Sequence, residues 1–237
     1  ERERRRAARD AGDHQARPDS TDVDRAGRLI APDAHEGVVE FLKTCYQYKP
    51  SLLKMGEVAW RFAIRAALRG ENLLLLGDSG TGKTLLAQTL PKVLKKPYFY
   101  FNMGGTQDAR STLIGNTHFK EGEGTYVAES LFVTAIQTEN AVILLDELSR
   151  AHPDAQNILM TVLDKKQRYL RIDEKPDTPT IEVAKGVCFI ATANVGSEYT
   201  ATRVIDRAML DRFTTLKIPH LSKEDEVELL AGMFPSL

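Results

Sequence analysis

Cysteine is scarce: Cys45 and Cys188 are the only two in 237 residues. Both sit in apolar stretches, which predicts buried free thiols rather than a disulfide scaffold and suits a reducing, cytoplasmic compartment. Net charge is nearly absent, at a formal -1. The bulk composition therefore gives no sign of binding to nucleic acid or to a membrane, although a local basic patch stays open. No apolar run approaches the length of a membrane span, and the N-terminus does not read as a signal peptide. The lack of an initiator Met predicts a fragment or a processed chain. Residues 1–28 lack apolar bulk, with Val23 as their only branched apolar residue. They cannot bury enough surface to offset the entropy of ordering, and a disordered segment or a solvated helix is expected. Arg4, Arg5 and Arg6 there would suit a polyanion, but the interleaved acids favour a solvated segment. No internal repeat is evident.

What the chain does have is 42% apolar residues, adequate for an ordinary core. Order is expected from about Leu29. Val38, Phe41, Leu42 and Cys45 share a helical face that Pro50 ends, and Ala59, Phe62, Ala63, Ala66 and Ala67 mark a second helix stopped at Gly70. Trp60 reads as core or interface rather than as a stacking platform. Buried strands are predicted at Leu73–Leu76, Tyr98–Phe101, Ala141–Leu145 and Val187–Thr192, with a short fifth at Thr214–Ile218. A helical pattern broken by glycines between Gly104 and Glu129 predicts an inserted hairpin or loop with Phe119 and Tyr126 near its tip. Tyr169–Val183 predicts a second hairpin, and Ser222 with Asp225 the start of a last helix. Five strands alternating with helices give an α/β class, a three-layer αβα arrangement on a parallel five-stranded sheet.

The stretch GDSGTGKT, Gly77 to Thr84, organises the rest. It fits G-x-x-x-x-G-K-[S/T] at every fixed position and lies between a strand and a helix. Gly77, Gly80 and Gly82 let the backbone fold tightly, so that the N–H groups of Asp78, Ser79, Thr81 and their neighbours through Leu85 can face a phosphate. The helix starting near Lys83 aims its positive end at the same anion. Lys83 is expected on the β- and γ-phosphates and the Thr84 hydroxyl on Mg²⁺.

Asp146 and Glu147 close a buried strand at the sheet edge where ligands of open α/β sheets sit. Asp146 would hold Mg²⁺, and Glu147, one residue further, would polarise a water aimed at the γ-phosphate. The alternative is an acid pair that merely complements a helix dipole. Asn194 follows the fourth strand and can hydrogen-bond the γ-phosphate or the water, or simply form a turn. Arg207 and Arg212 follow on a helix. Either can stabilise a negative transition state, in a neighbouring subunit if so placed, or serve as a surface ion-pair partner.

Together GDSGTGKT, ILLDELSRAHPDAQNILMTVLD, FIATANVGS and AMLDRF resemble the AAA+ ATPases. In order they resemble that family's phosphate loop, metal and base motif, polar sensor and arginine finger. DELSRAHPDAQNILMTVLD is especially similar to the MoxR group. ATAN followed by a longer loop and DRF resembles the cobaltochelatase small-subunit and CbbQ branches, and the broken second helix and second hairpin match the inserts of that clade. The resemblance implies a nucleotide-binding domain over residues 29–220 and the beginning of a helical lid at 221–237. It implies ATP and Mg²⁺ as cofactors, Asp146 and Glu147 as metal partner and base, Asn194 as sensor, and Arg212, then Arg207, as the finger. It further implies a homo-oligomeric ring, most naturally a hexamer, that remodels a partner protein or matures an enzyme by metal insertion. Two other readings stand beside it: a motor acting on nucleic acid, which the neutral charge disfavours, and a scaffold that binds ATP but barely hydrolyses it, which the intact acid pair disfavours.

Overall fold

The computed structural model describes residues 36–120, 124–173, 180–194 and 205–233. The charged segment 1–28, the start of order near Leu29, Pro176, Pro179 and the loop that begins after Asn194 lie outside the described residues.

The three long aliphatic runs become the three inner strands. β1 (Leu73–Gly77), β5 (Val142–Asp146) and β8 (Cys188–Asn194) lie between the outer strands β2 (Tyr98–Asn102) and β9 (Thr214–Lys217), in the order β2-β5-β8-β1-β9, with every pair parallel. Continuous apolar sequence is what such strands need, because successive side chains alternate between two covered faces. Leu73, Leu75, Val142, Leu144, Cys188 and Ile190 point into one core with helices α1 (Glu36–Thr44), α2 (Glu57–Arg69) and α3 (Lys83–Leu94). Leu74, Ile143, Leu145, Phe189, Ala191 and Ala193 point into the other, against α4 (Ala109–Leu113), α5 (Leu131–Gln137) and α6 (Pro153–Val162). Two cores on one sheet make the three layers expected.

The predicted insertions are present. α4 and α5 are separated by an antiparallel hairpin, β3 (Gly115–Lys120) with β4 (Gly124–Glu129), and a second hairpin pairs β6 (Tyr169–Arg171) with β7 (Thr180–Glu182). α7 (Arg207–Leu210) precedes β9, and α8 (Lys223–Met233) follows a cap in which the Asp225 N–H donates to Ser222 Oγ at 3.1 Å.

Two expectations need correction. β2 is not buried: it is an outer strand paired only with β5, and its Tyr100 is 44% exposed. Aromatic sequence reports strand formation, not which strand has a neighbour on each side. The face of α2 is rotated from the alanine stripe: Trp60 and Ile64 are buried with Ala63, Ala66 and Ala67, while Ala59 and Phe62 are only half-buried. The Trp60 indole N–H donates to the Cys45 carbonyl at 2.8 Å, which fixes it as core. Cys45 and Cys188 are both buried free thiols, and burial pushes the Cys188 thiol up to about 12.

Candidate active site

All the chemistry-bearing motifs but the arginines converge on the C-terminal edge of the sheet. β8 lies between β1 and β5, and its register sets Asn194 beside Gly77 and Ala191 beside Leu145. The ends of three strands thus meet across about two strand spacings, roughly 10 Å.

From Gly77 the chain enters the loop 78–82. Gly80 (φ 80°) and Gly82 (φ 87°) are left-handed, and a Cβ on either would meet nothing within 4 Å. Backbone conformation, not crowding, is therefore what calls for glycine here. The Leu86 N–H donates to Gly82 O at 2.9 Å and closes the first turn of α3. The N–H groups before it lack helical acceptors, and Lys83, Thr84 and Leu85 line the cleft.

Lys83 is buried, and its Nζ donates to the carbonyls of Gly77 (3.0 Å) and Asp78 (2.6 Å). Burial holds its pKa below the ordinary lysine value, with Asp78 and Asp146 opposing in part. A buried ammonium held by two neutral carbonyls, beside the N–H groups that open a helix, fits a polyphosphate.

The Thr84 hydroxyl donates to Asp146 Oδ1 at 3.2 Å, so the two predicted metal ligands are already neighbours. Both are hard oxygen donors, and among the described residues no group of three or more His, Cys, Asp or Glu gathers. That set fits Mg²⁺, which takes one or two protein oxygens and fills its other positions with phosphate and water. Thr192, whose local sequence signals only a strand, ties the acids together. Its hydroxyl donates to Asp146 Oδ1 and accepts the Glu147 N–H at 2.9 Å. The Tyr100 hydroxyl donates to Asp146 Oδ2 at 3.3 Å, and its own pKa is raised by partial burial first and by the Asp146 charge second.

Glu147 is one of three non-glycine residues with positive φ among the described residues, at 56°. The left-handed turn lets adjacent acids take different directions, at a cost of about 1–3 kcal/mol. The Glu147 carboxylate leaves Asp146 and meets Arg150 Nη1 at 3.1 and 3.3 Å. Gly104 packs against the same carboxylate: a Cβ there would lie 2.3 Å from Glu147 Oε2.

The resulting cleft encloses about 310 Å³ and is lined by Ser79, Gly80, Gly82, Lys83, Thr84, Leu85, Asp146, Glu147, Thr192, Ala193 and Asn194. Gly77, Asp78 and Thr81 shape the loop rather than line the cleft; the Thr81 hydroxyl donates to Asp78 O at 2.9 Å. Asp78 Oδ2 meets His220 Nε2 at 2.7 Å. His220 belongs to a second cavity of about 510 Å³, lined among others by Lys49, Met55, Ala59, Ile218 and Leu221.

Neither arginine reaches the cleft of its own chain. Arg207 opens α7 and is exposed. Arg212 is half-buried: its Nε donates to Met160 O at 2.7 Å and its Nη1 to Ala208 O at 2.6 Å. Asp164 Oδ2 lies 3.8 Å from its Nη2.

Comparison with known proteins agrees with this geometry. Residues 72–213 match the AAA domain family model of the dynein-related subfamily. The chain is 34% identical over 177 residues to Lon protease homolog, mitochondrial 1, of Dictyostelium discoideum, covering 70% of this chain and 17% of that protein. It is 35% identical over 160 residues to "Putative chaperone BssE" of Thauera aromatica, covering 67% of this chain and 54% of that one. In fold it is similar to the crystal structure of a putative ATPase from Cytophaga hutchinsonii, with a TM-score of 0.57 and 22% identity over 85% of this chain and 58% of that chain. No helix among the described residues is long and apolar enough to cross a membrane. The chain belongs to the AAA family, in its dynein-related subfamily, and carries that family's ATPase domain.

Proposed function

We propose that the protein containing this domain is a cytoplasmic ring of identical subunits, a hexamer of the MoxR or cobaltochelatase-like kind. It couples Mg-ATP hydrolysis to remodelling of a partner protein, for example in metal insertion or enzyme maturation. ATP would place its phosphates against Lys83 and the N–H groups of the loop, and its base in the larger cavity beside Ala59 and Ile218. Thr84 and Asp146 would hold Mg²⁺, which when bound neutralises charge on the β- and γ-phosphates. Glu147 accepts a proton from the attacking water as the new P–O bond forms and the β–γ bridging bond breaks, giving ADP and phosphate. Asn194 offers an uncharged amide to the γ-phosphate or the water. Lys83 is the one cation among the described residues that line the cleft, and Arg150 stands outside it with its guanidinium on Glu147. Arg212, with Arg207 as second choice, would supply one from the adjacent subunit, a contact worth about three to five powers of ten in rate. Such a head-to-tail contact has to close into a ring or grow into a filament. α8 would be the first helix of a lid.

The observation that carries the remodelling reading is the β3–β4 hairpin. Its Phe119 is 76% exposed and its Tyr126 50% exposed. Two exposed large aromatics, one on each face of the hairpin, suit a protein partner, and the name of the Thauera relative describes a chaperone. The test is a Glu147→Gln trap of the full-length protein, loaded with ATP and analysed for co-purifying proteins, alongside ATPase assays with DNA, RNA and the trapped proteins. A trapped protein that raises turnover of the wild type is the expected result. Stimulation by DNA or RNA alone would overturn it in favour of a nucleic-acid motor.

A further inference from the structure

Opposite the cleft, at the N-terminal edge of the sheet, a buried polar cluster has no part in the chemistry described above. Asn72 stands just before β1 and is buried. Its amide nitrogen donates to Leu163 O (2.8 Å), at the end of α6, and to Arg212 O (3.1 Å), in the turn between α7 and β9. Its backbone carbonyl accepts the Thr214 N–H at 2.8 Å. Its side-chain oxygen accepts from Arg168 Nη2 at 3.0 Å. Every polar atom of the Asn72 side chain is therefore engaged, and each bond joins a different segment.

Arg168 extends the cluster. Nη1 donates to Val187 O (2.9 Å) and Gly70 O (3.3 Å), Nε reaches Val162 O at 3.5 Å, and the guanidinium lies 5.0 Å from the centre of the Phe189 ring. No carboxylate pairs with it among the described residues. Burial lowers its pKa, so the cation sits there at a cost. What the planar fork supplies in return is a set of fixed directions to several backbone segments at once. The backbone of the same residue belongs to the second hairpin, because Val183 N–H donates to Arg168 O at 2.9 Å at the foot of β6–β7. The turn is gripped from its other side as well. Asn72 holds the Arg212 carbonyl, while the Arg212 guanidinium holds Met160 O on α6.

We propose that Asn72 and Arg168 are positioning residues for the arginine-bearing segment, α7 and the turn into β9. They lock that segment to the end of α6, so that the arginine presented to a neighbouring subunit arrives in place, and they link it to the β6–β7 hairpin, so that a partner displacing the hairpin changes what the neighbour's site receives. This rests on the shared-site reading given above. Its distinctive consequence is that damage to the cluster is felt in the next subunit's cleft and not in its own.

The test uses the full-length protein. Asn72→Ser removes both amide N–H donors, and Arg168→Lys keeps the charge but removes the fork. Each homomeric variant is expected to lose about 10²-fold in kcat, the cost of a misplacement near 1 Å. KM for ATP is expected to stay within about twofold, because the phosphate cleft is untouched. Mixed with Glu147→Gln subunits, each variant should recover turnover, since its intact cleft then receives a well-placed arginine from the Glu147→Gln neighbour. Should Asn72→Ser not fold, Arg168→Lys carries the same readout. Arg212→Ala and Arg207→Ala, mixed in the same way, are the controls. Recovery with an arginine variant but not with the cluster variants, or an unchanged kcat in both cluster variants, overturns the positioning role while the shared site stands. Absence of recovery in every mixture sinks the shared site, and the positioning role with it.

Discussion

Gly104→Ala is the perturbation that most directly questions the placement of Glu147. Gly104 lies in the loop after β2, and an added Cβ would come within 2.3 Å of Glu147 Oε2, 3.0 Å of Glu147 Cβ and 3.3 Å of Arg150 Cβ. Ordinary contact begins near 3.4 Å, so the carboxylate has to move by roughly 1 Å. Rotation of the carboxylate alone does not relieve the contact at Glu147 Cβ. Arg150 Nη1 holds the same Oε2 at 3.1 Å, and the Glu147 backbone is held by Thr192 in a left-handed turn. A base displaced by about 1 Å from its water loses about 10²-fold in rate, equivalent to ~2.7 kcal/mol in the barrier.

The substitution spares the binding machinery, because Gly104 does not line the phosphate cleft. Replacing a loop glycine also removes freedom from the unfolded chain, worth about 0.4–1 kcal/mol, which offsets part of the crowding and helps the variant fold. Steady-state phosphate release by the full-length protein is expected to show kcat down about a hundredfold with KM nearly constant. Titration calorimetry should give an unchanged ATP affinity. On a Glu147→Gln background the alanine should cost nothing more, because the group it displaces is already inert. A kcat within about twofold of wild type would refute the reasoning, as would an additive loss on that background.

Lys83→Met is expected to abolish ATP binding in calorimetry while leaving the melting temperature of the nucleotide-free protein unchanged or higher. The lowered pKa of Lys83 means that the folded state holds this proton less tightly than the unfolded one. The cost of the buried charge is thus complete at neutral pH and fades only as pH rises through the lowered folded value toward the ordinary 10.5; a lower melting temperature would contradict this. Thr192→Val keeps the shape but leaves the Glu147 N–H without its acceptor, and should destabilise the fold by about 1–3 kcal/mol in urea titration as well as slow turnover. Phe119→Ala and Tyr126→Ala should leave ATP turnover near wild type and uncouple it from partner remodelling; full remodelling by both variants would count against the hairpin.

Legibility in the sequence tracked how local each determinant is. The loop 77–84, the acid pair and the cap at Ser222 are set by residues within a few positions of one another, and each stands where its pattern put it. The inner strands were legible because burial on both faces demands an unbroken apolar run, as in Leu73–Leu76. The outer position of β2 was not, since Tyr98–Phe101 is equally apolar and only the tertiary order leaves it one neighbour. For the same reason the sequence could place Arg212 after the fourth strand but not show that its guanidinium donates to the Met160 and Ala208 carbonyls of its own chain. Thr192 and Asn72 lie between these cases. Each is a single polar residue in or beside a run that must be buried, FIATA and NLLLL. A buried hydroxyl or amide costs several kcal/mol unless it is paired, so its retention there already implies a nonlocal partner. In Thr192 the partners are the two acids of the adjacent strand, and in Asn72 they are the end of α6, the turn before β9 and Arg168. Thr192 thus ties strand ends together at the cleft, and Asn72 ties the segment that carries the arginines at the opposite edge of the sheet.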